Sequence, residues 1–102
     1  MLELRPNCEL CDKDLPPDAP DARICSYECT FCAACVEHHL QNVCPNCGGG
    51  FEARAVRPAR SWRETTGLAV DPPGTRRRHT PYSAAEIGEF ATPIAAIPPR
   101  ER

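Results

Sequence analysis

The sequence predicts a small metal-stabilised α+β domain followed by a largely disordered tail. Three observations lead to this fold class. All eight cysteines fall within the first 50 of the 102 residues. Residues 1–50, the cysteine half, are too few to bury a self-sufficient apolar core, so metal or disulfides must contribute stability. Residues 51–102, the arginine half, contain seven prolines and no sustained apolar periodicity, which is typical of a segment without a core.

The spacing of the cysteines indicates metal ligation rather than disulfides. They stand at Cys8, Cys11, Cys25, Cys29, Cys32, Cys35, Cys44 and Cys47. The pattern contains four C-x2-C steps, a spacing that lets two thiolates reach one tetrahedral ion at about 2.3 Å. The charged start of the chain lacks the apolar run of an export signal, so we expect a cytoplasmic protein with reduced thiols. No apolar run approaches the roughly 20 residues of a transmembrane helix, so we expect no membrane partner.

Eight thiolates supply two four-sulfur sites, and we predict two Zn²⁺ ions as the cofactors because structural sites of this kind are mostly zinc. Iron is the alternative, since Cys44-Pro45-Asn46-Cys47-Gly48 also resembles a rubredoxin knuckle. His38 or His39 would be the alternative ligand, because the spacing from Cys35 to His38 is workable. Eight cysteines already satisfy two ions, and we therefore expect both histidines on a helix surface.

The charge of the chain is divided between its halves. The cysteine half carries eight acidic and three basic side chains, a formal charge of −5, whereas the arginine half carries nine arginines and six acidic residues, a charge of +3. Two zinc ions with four thiolates each would add about −4 to the cysteine half. An acidic metal domain argues against direct nucleic-acid binding by that domain, because such modules present basic faces.

Short regular elements are predicted between the cysteines. Arg23–Tyr27 alternates like a strand, and Tyr27–Phe31 can pair back on it as a hairpin. Ala33–Gln41 reads as one short helix whose apolar residues Val36 and Leu40 share a face. Phe51 is expected to close the small core.

The arginine half is predicted to be a flexible, Pro/Arg-rich tail over residues 53–102. Arginines recur every three residues from Arg54 to Arg63 and cluster again in Arg76-Arg77-Arg78-His79. We interpret them as a solvated basic segment; the alternative is weak, salt-dependent contact with nucleic acid. Ser83-Ala84-Ala85-Glu86 fits a capping box that opens a short helix over 84–91, which we expect Pro93 to end.

The order of the ligands resembles the RING finger family. Spacing alone leaves two pairings open: a sequential one (Cys8, Cys11, Cys25 and Cys29, then the rest) and an interleaved one. The resemblance covers about residues 8–47 and includes Leu10 between the first ligands, Phe31 before the fifth, and the closing Cys44-Pro45-Asn46-Cys47. That family is cross-braced, so the resemblance implies the interleaved pairing, with a first set of Cys8, Cys11, Cys32 and Cys35 and a second set of Cys25, Cys29, Cys44 and Cys47. It also implies a two-zinc RING-like domain over residues 1–52.

The chain departs from RING fingers where they contact ubiquitin-conjugating enzymes. Cys29 replaces the common histidine ligand, His39 falls where many carry a tryptophan, and Gly48 falls where many carry an arginine. Only Leu10 and Pro45 match that contact surface. A second resemblance covers about residues 1–50: Leu2–Cys8 and Asp21–Cys32 are similar to a family of short bacterial cysteine-rich proteins known only as a domain of unknown function. It implies a bacterial, cytosolic source and supplies no activity.

These features favour a structural two-zinc module that mediates protein–protein interaction through a partner of unknown identity. Intrinsic catalysis is not expected, because four-thiolate sites are closed and no nucleophile, phosphate-loop or metalloprotease motif occurs. The alternatives are a RING-type ubiquitin ligase, a nucleic-acid-associated zinc protein that uses the arginine-rich tail, and a thiol-based redox or zinc-buffering protein.

Overall fold

The computed structural model describes all residues 1–102 and has an α+β fold, as predicted. A three-stranded antiparallel sheet has the order β2-β1-β3, with β1 at Ala22–Ile24, β2 at Thr30–Cys32 and β3 at Glu52–Ala53. Helix α1 (Ala33–Cys35) leads directly into a π-helical segment, Val36–Leu40. A longer helix, α2 (Ala84–Ala95), and a 3₁₀ turn, Pro99–Glu101, lie near the carboxyl terminus.

Strands β1 and β2 form the predicted hairpin, with Arg23 opposite Phe31, but both strands are shorter than predicted and residues 25–29 form the turn. The Glu28 amide donates to the Cys25 carbonyl at 3.1 Å and the Cys25 amide donates to the Cys29 carbonyl at 3.2 Å. Glu28 has a left-handed φ of 68°. A type I turn followed by a left-handed residue is the usual three-residue hairpin connection, and here it places Cys25 and Cys29 at the two ends of the turn.

The predicted helix over Ala33–Gln41 is present and ends one residue earlier, at Leu40. Gln41 and Asn42 take left-handed φ values of 53° and 58°, so the helix cannot continue. Leu40 is fully buried, and the Phe31 and Phe51 rings meet edge to face with centroids 5.5 Å apart. Six cysteines also belong to this core, so sulfur fills much of the space that apolar side chains occupy in larger domains.

The prediction of a largely disordered tail is not supported, because the arginine half lies against the cysteine half. Strand β3 pairs with β1, with Ala53 opposite Arg23. The segment after β3 is mostly extended, yet its backbone bonds to the amino-terminal segment: the Gly74 amide donates to the Leu4 carbonyl at 3.0 Å, and the Thr80 amide to the Glu9 carbonyl at 2.7 Å. Hydrogen bonds of this kind hold a segment without any apolar periodicity.

Helix α2 starts with the predicted capping box, since Ser83 and Glu86 exchange both side-chain-to-backbone hydrogen bonds. It runs to Ala95 and passes through Pro93, so the expected stop at Pro93 is wrong. Proline removes one helical N–H, which leaves the carbonyl four residues back, on the exposed Glu89, without its helical partner. Solvent can hydrate that carbonyl, which makes the proline tolerable. The buried face of α2, Ile87 and Ala91, packs towards the π-helical segment.

Candidate metal centres

The structure brings the first predicted set of cysteines together. The sulfurs of Cys8, Cys11, Cys32 and Cys35 all lie within 4.8 Å of one another. Cys8 and Cys11 come from the first loop, Cys32 ends β2, and Cys35 ends α1. The sulfurs of Cys11 and Cys32 are 3.8 Å apart. Four sulfurs bonded to one ion at about 2.3 Å would stand about 3.8 Å apart at the corners of a tetrahedron, so this group has the size of a zinc-thiolate site.

The second group contains three of its four predicted members. Cys25, Cys44 and Cys47 have their sulfurs within 4.8 Å of one another, whereas Cys29 is not part of that compact set. Cys29 is nevertheless a neighbour of this set, because it contributes to the pKa shifts of both Cys25 and Cys44. The two groups alternate along the chain, as the interleaved pairing requires. They are compatible with a cross-braced zinc domain, while ligation by the individual cysteines stays a prediction.

The first and last C-x2-C loops have the same backbone geometry. The Asp12 amide donates to the Cys8 carbonyl at 2.9 Å, and the Gly48 amide donates to the Cys44 carbonyl at 2.7 Å. The residue after the second cysteine is left-handed in both loops, with φ of 65° at Asp12 and 81° at Gly48. Two loops at opposite ends of the cysteine half therefore fold into the same turn, and each turn directs two thiols towards one point.

Backbone amides also point at sulfur in the second group. The Tyr27 amide donates to the Cys25 sulfur and the Gly49 amide donates to the Cys47 sulfur, both at 3.4 Å. Hydrogen bonds to sulfur favour the charged thiolate over the thiol. These amides therefore stabilise the form of cysteine that ligates metal.

The electrostatics of the two groups favour a bound cation. Hydrogen bonds from the Cys29 and Cys44 thiols lower the pKa of Cys25 to about 3, so one thiolate is stabilised by protonated neighbours. Cys25 and Cys29 raise the pKa of Cys44, and burial raises the pKa of Cys35, with further contributions from Cys32 and Cys8. Without a cation, the clustered sulfurs cannot all ionise. No disulfide forms among the eight cysteines, so the donor set fits a soft divalent ion such as zinc.

His38 and His39 belong to neither cysteine group. Both are exposed, as expected for a helix surface, and they line a cavity of about 330 Å³ beside the first group together with Leu10, Cys11, Cys35, Ala84 and Ile87. The two residues from α2 show that this helix covers the surface between the first loop and the π-helical segment.

Two residues that the sequence analysis did not single out hold the groups in place. Glu9, which is buried between the first two cysteines, accepts hydrogen bonds from the Thr30 amide and from the Arg5 guanidinium at 2.9 Å. It thereby fastens the first loop to β2. Arg54, which is 5% exposed, donates to three backbone carbonyls of the amino-terminal region. Most of the partners are backbone groups far along the chain, which leave no sequence signal; only the Arg5–Glu9 pair is local.

Fold and site together define a small cysteine-rich α+β protein with two interleaved cysteine clusters. The chain belongs to the family described as proteins of unknown function (DUF1272), whose model matches residues 1–57. This confirms the resemblance to an uncharacterised cysteine-rich family. An uncharacterised protein of Rhizobium meliloti (strain 1021) is 54% identical over 77 residues, an alignment that covers 72% of this chain and 92% of that relative. No solved structure matches the chain. None of its helices has the length and apolar character needed to cross a bilayer.

Proposed function

We propose that this protein is a structural two-zinc module that mediates protein–protein interaction in the cytoplasm and has no catalytic activity of its own. The observation that carries the proposal is the pair of interleaved cysteine clusters. In the proposed assignment, Cys8, Cys11, Cys32 and Cys35 hold one Zn²⁺, and Cys25, Cys29, Cys44 and Cys47 hold the other. Each ion joins a loop to the hairpin or helix, so metal binding and folding are one process.

The donor set supports a structural role for the metal. Four thiolates close the coordination shell, whereas catalytic zinc keeps one position open for water or substrate. Thiolates also give electron density to the ion, which makes it a poor activator of water. A metal that only organises the chain leaves the surface of the protein as the functional part.

The position of α2 argues against the alternative of a RING-type ubiquitin ligase. The resemblance implies a contact groove near Leu10 and Pro45, and both residues line cavities whose other walls include α2 residues. Ile87 of α2 is 3% exposed and belongs to the same buried cluster as Cys8 and Leu40. A conjugating enzyme that used this groove would have to displace a packed helix.

The arginine contacts argue against the nucleic-acid alternative. Arg54 and Arg57 donate to backbone carbonyls, at 2.9 Å to Arg5 and 2.7 Å to Leu2 among others. Arg77 pairs with Asp12 and Asp14 at 2.8 and 2.7 Å. These guanidinium groups are engaged within the molecule, which leaves Arg60, Arg63, Arg76 and Arg100 as the arginines of this half without a side-chain partner.

Metal analysis and partner capture on the full chain test the proposal. Protein purified under reducing conditions should contain two zinc equivalents, and the visible absorption of ferric thiolate would instead identify iron. The zinc-loaded chain, immobilised, should retain a specific protein from an extract of the source organism, and the chelated chain should not. One metal equivalent or none refutes the two-site assignment. Equal capture by the loaded and the chelated chains refutes the claim that the partner recognises the metal-stabilised fold.

A further inference from the structure

We propose that a cavity beside α2 binds an arginine side chain of a basic peptide segment in the partner protein. This inference rests on the proposed function and specifies which chemical group of the partner is recognised. The cavity has a volume of about 370 Å³ and is lined by Pro45, Tyr82, Glu86, Ile87, Glu89 and Phe90. It therefore combines two aromatic rings with two carboxylates in a space of the size that ligand sites have.

The aromatic walls are exposed and yet supported from behind. Tyr82 is 41% and Phe90 is 42% exposed, so both rings present apolar surface to a molecule that enters the cavity. The Phe90 ring lies close to Gly48, since a Cβ built on that glycine would stand 3.7 Å from the Cζ atom of Phe90. The Tyr82 hydroxyl makes no hydrogen bond within the chain. Both rings are thus available to stack against a planar cation.

The carboxylates have no basic partner, although the chain is rich in arginine. Glu86 accepts a hydrogen bond from the Ser83 amide at 3.0 Å in the capping box, and its second oxygen is free. Glu89 makes no hydrogen bond or ion pair. All six ion pairs in the structure use other acidic residues. Because residues three apart on a helix are neighbours, the two carboxylates form one anionic edge of the cavity.

The opposite wall adds negative potential. Pro45 lies between Cys44 and Cys47, which belong to the second proposed zinc site, and four thiolates leave that site with a charge of about −2. The lining contains no basic side chain, and the Arg102 guanidinium, which donates to the Asn42 and Gly48 carbonyls, lies outside it. Every charged group that lines the cavity is therefore an anion.

Arginine suits this arrangement better than lysine. Its flat guanidinium stacks on aromatic faces and presents a fork of N–H donors to carboxylates, whereas the ammonium of lysine is a strongly hydrated point charge. Tyr82, Glu86, Glu89 and Phe90 are exposed, whereas Ile87 is buried, so the site is open to a side chain that projects from another polypeptide.

The test is an NMR titration of the zinc-loaded, ¹⁵N-labelled full chain with the acetylated and amidated peptide Gly-Arg-Gly-Arg-Gly. A twin peptide with citrulline in place of arginine keeps the shape and removes the charge. We expect shifts of the Tyr82, Glu86, Glu89 and Phe90 amides with the arginine peptide, weaker binding at higher salt, and no saturable shifts with the citrulline peptide. Equal responses to both peptides, or shifts that map elsewhere, overturn the proposal.

Two variants locate the site, and a third serves as their control. Glu89→Gln and Phe90→Leu should each weaken binding by about three- to fivefold, as expected for the loss of an exposed ion pair or a cation–π contact. Glu64→Gln removes the same charge from an exposed position outside the cavity and should leave the affinity unchanged. If Glu89→Gln and Glu64→Gln change the peptide affinity equally, binding reflects only net charge and the proposed site is refuted.

Failure here is distinguishable from failure of the proposed function. A captured partner that binds equally well to Phe90→Leu and to the unaltered chain would use another surface. That result would refute the arginine site and leave the proposed interaction module supported. Loss of the two zinc equivalents would instead remove the proposed function whatever the peptide does.

Discussion

Replacing Arg54 should destabilise the protein more than replacing any other arginine. The guanidinium donates to the Arg5 carbonyl at 2.9 Å, the Leu15 carbonyl at 3.2 Å and the Pro16 carbonyl at 2.8 Å. The side chain is 5% exposed and has no carboxylate partner, and burial lowers the pKa of Arg54 from its ordinary value of 12.5. It remains charged at neutral pH and joins the segment after β3 to two parts of the amino-terminal region.

The magnitude follows from the Arg5 and Leu15 carbonyls, because the Pro16 carbonyl also accepts the Ala19 amide at 2.9 Å and stays paired. Leaving a buried acceptor unpaired costs about 1–3 kcal/mol. The lower value is appropriate here, because the truncated side chain leaves space for water. Arg54→Ala should therefore lower the free energy of unfolding by about 2–3 kcal/mol, including the lost packing of the aliphatic stem. Arg54→Lys retains the positive charge and the aliphatic part of the side chain but loses the planar set of N–H donors. We therefore expect about half of the destabilisation of Arg54→Ala.

Urea unfolding followed by circular dichroism measures these differences. All variants must be compared at one buffered free-zinc concentration, since a bound metal shifts apparent stability by mass action. Arg60→Ala is the matched control, because Arg60 is exposed and donates no side-chain hydrogen bond; it should stay within about 0.5 kcal/mol of the unaltered chain. An Arg54→Ala value within that same range would refute the structural role of the buried guanidinium.

Five further outcomes are expected. Cys8→Ser should lower the metal content measured by elemental analysis from two equivalents to about one, and chelation of the unaltered chain should collapse the dispersion of its amide NMR spectrum. Trypsin should cut first at the exposed Arg63 and spare Arg77, which is held by two ion pairs, so early cleavage at Arg77 would contradict the docked arginine half. Ser83→Ala should speed amide hydrogen exchange in α2 about fivefold, corresponding to about 1 kcal/mol for a lost cap, whereas Ser61→Ala should not. Zinc-loaded protein should not accelerate ubiquitin discharge from charged conjugating enzymes, and acceleration that Leu10→Ala abolishes would favour the ligase.

The elements that the sequence predicted correctly depend on short-range patterns. The hairpin follows from the alternation that begins at Arg23, and the helix follows from the spacing of Val36 and Leu40. The capping box at Ser83 and Glu86 is read directly from four residues. In each case the determining contacts lie within a few positions of one another, so local propensity and the final fold agree.

The elements that were missed depend on long-range backbone contacts. Strand β3 has only two residues, Glu52 and Ala53, and exists because β1 offers it a free edge. The extended segment up to Thr80 is held by single amide-to-carbonyl bonds and by guanidinium groups that reach carbonyls. Such bonds require no apolar periodicity, so a search for hydrophobic patterns finds nothing there and suggests disorder.

The division of charge between the two halves has a structural consequence that links fold and proposed function. Arginines that looked like a solvated basic tail meet the acidic cysteine half: Arg77 contacts Asp12 and Asp14, and Arg78 contacts Glu3 at 3.3 Å. Each zinc-thiolate site would add about two negative charges, so metal binding should strengthen this attraction. The arginine half should then be held most tightly when the cysteine half contains metal. Glu86 and Glu89, which no arginine of the chain reaches, remain as the anionic surface that an external cation can use.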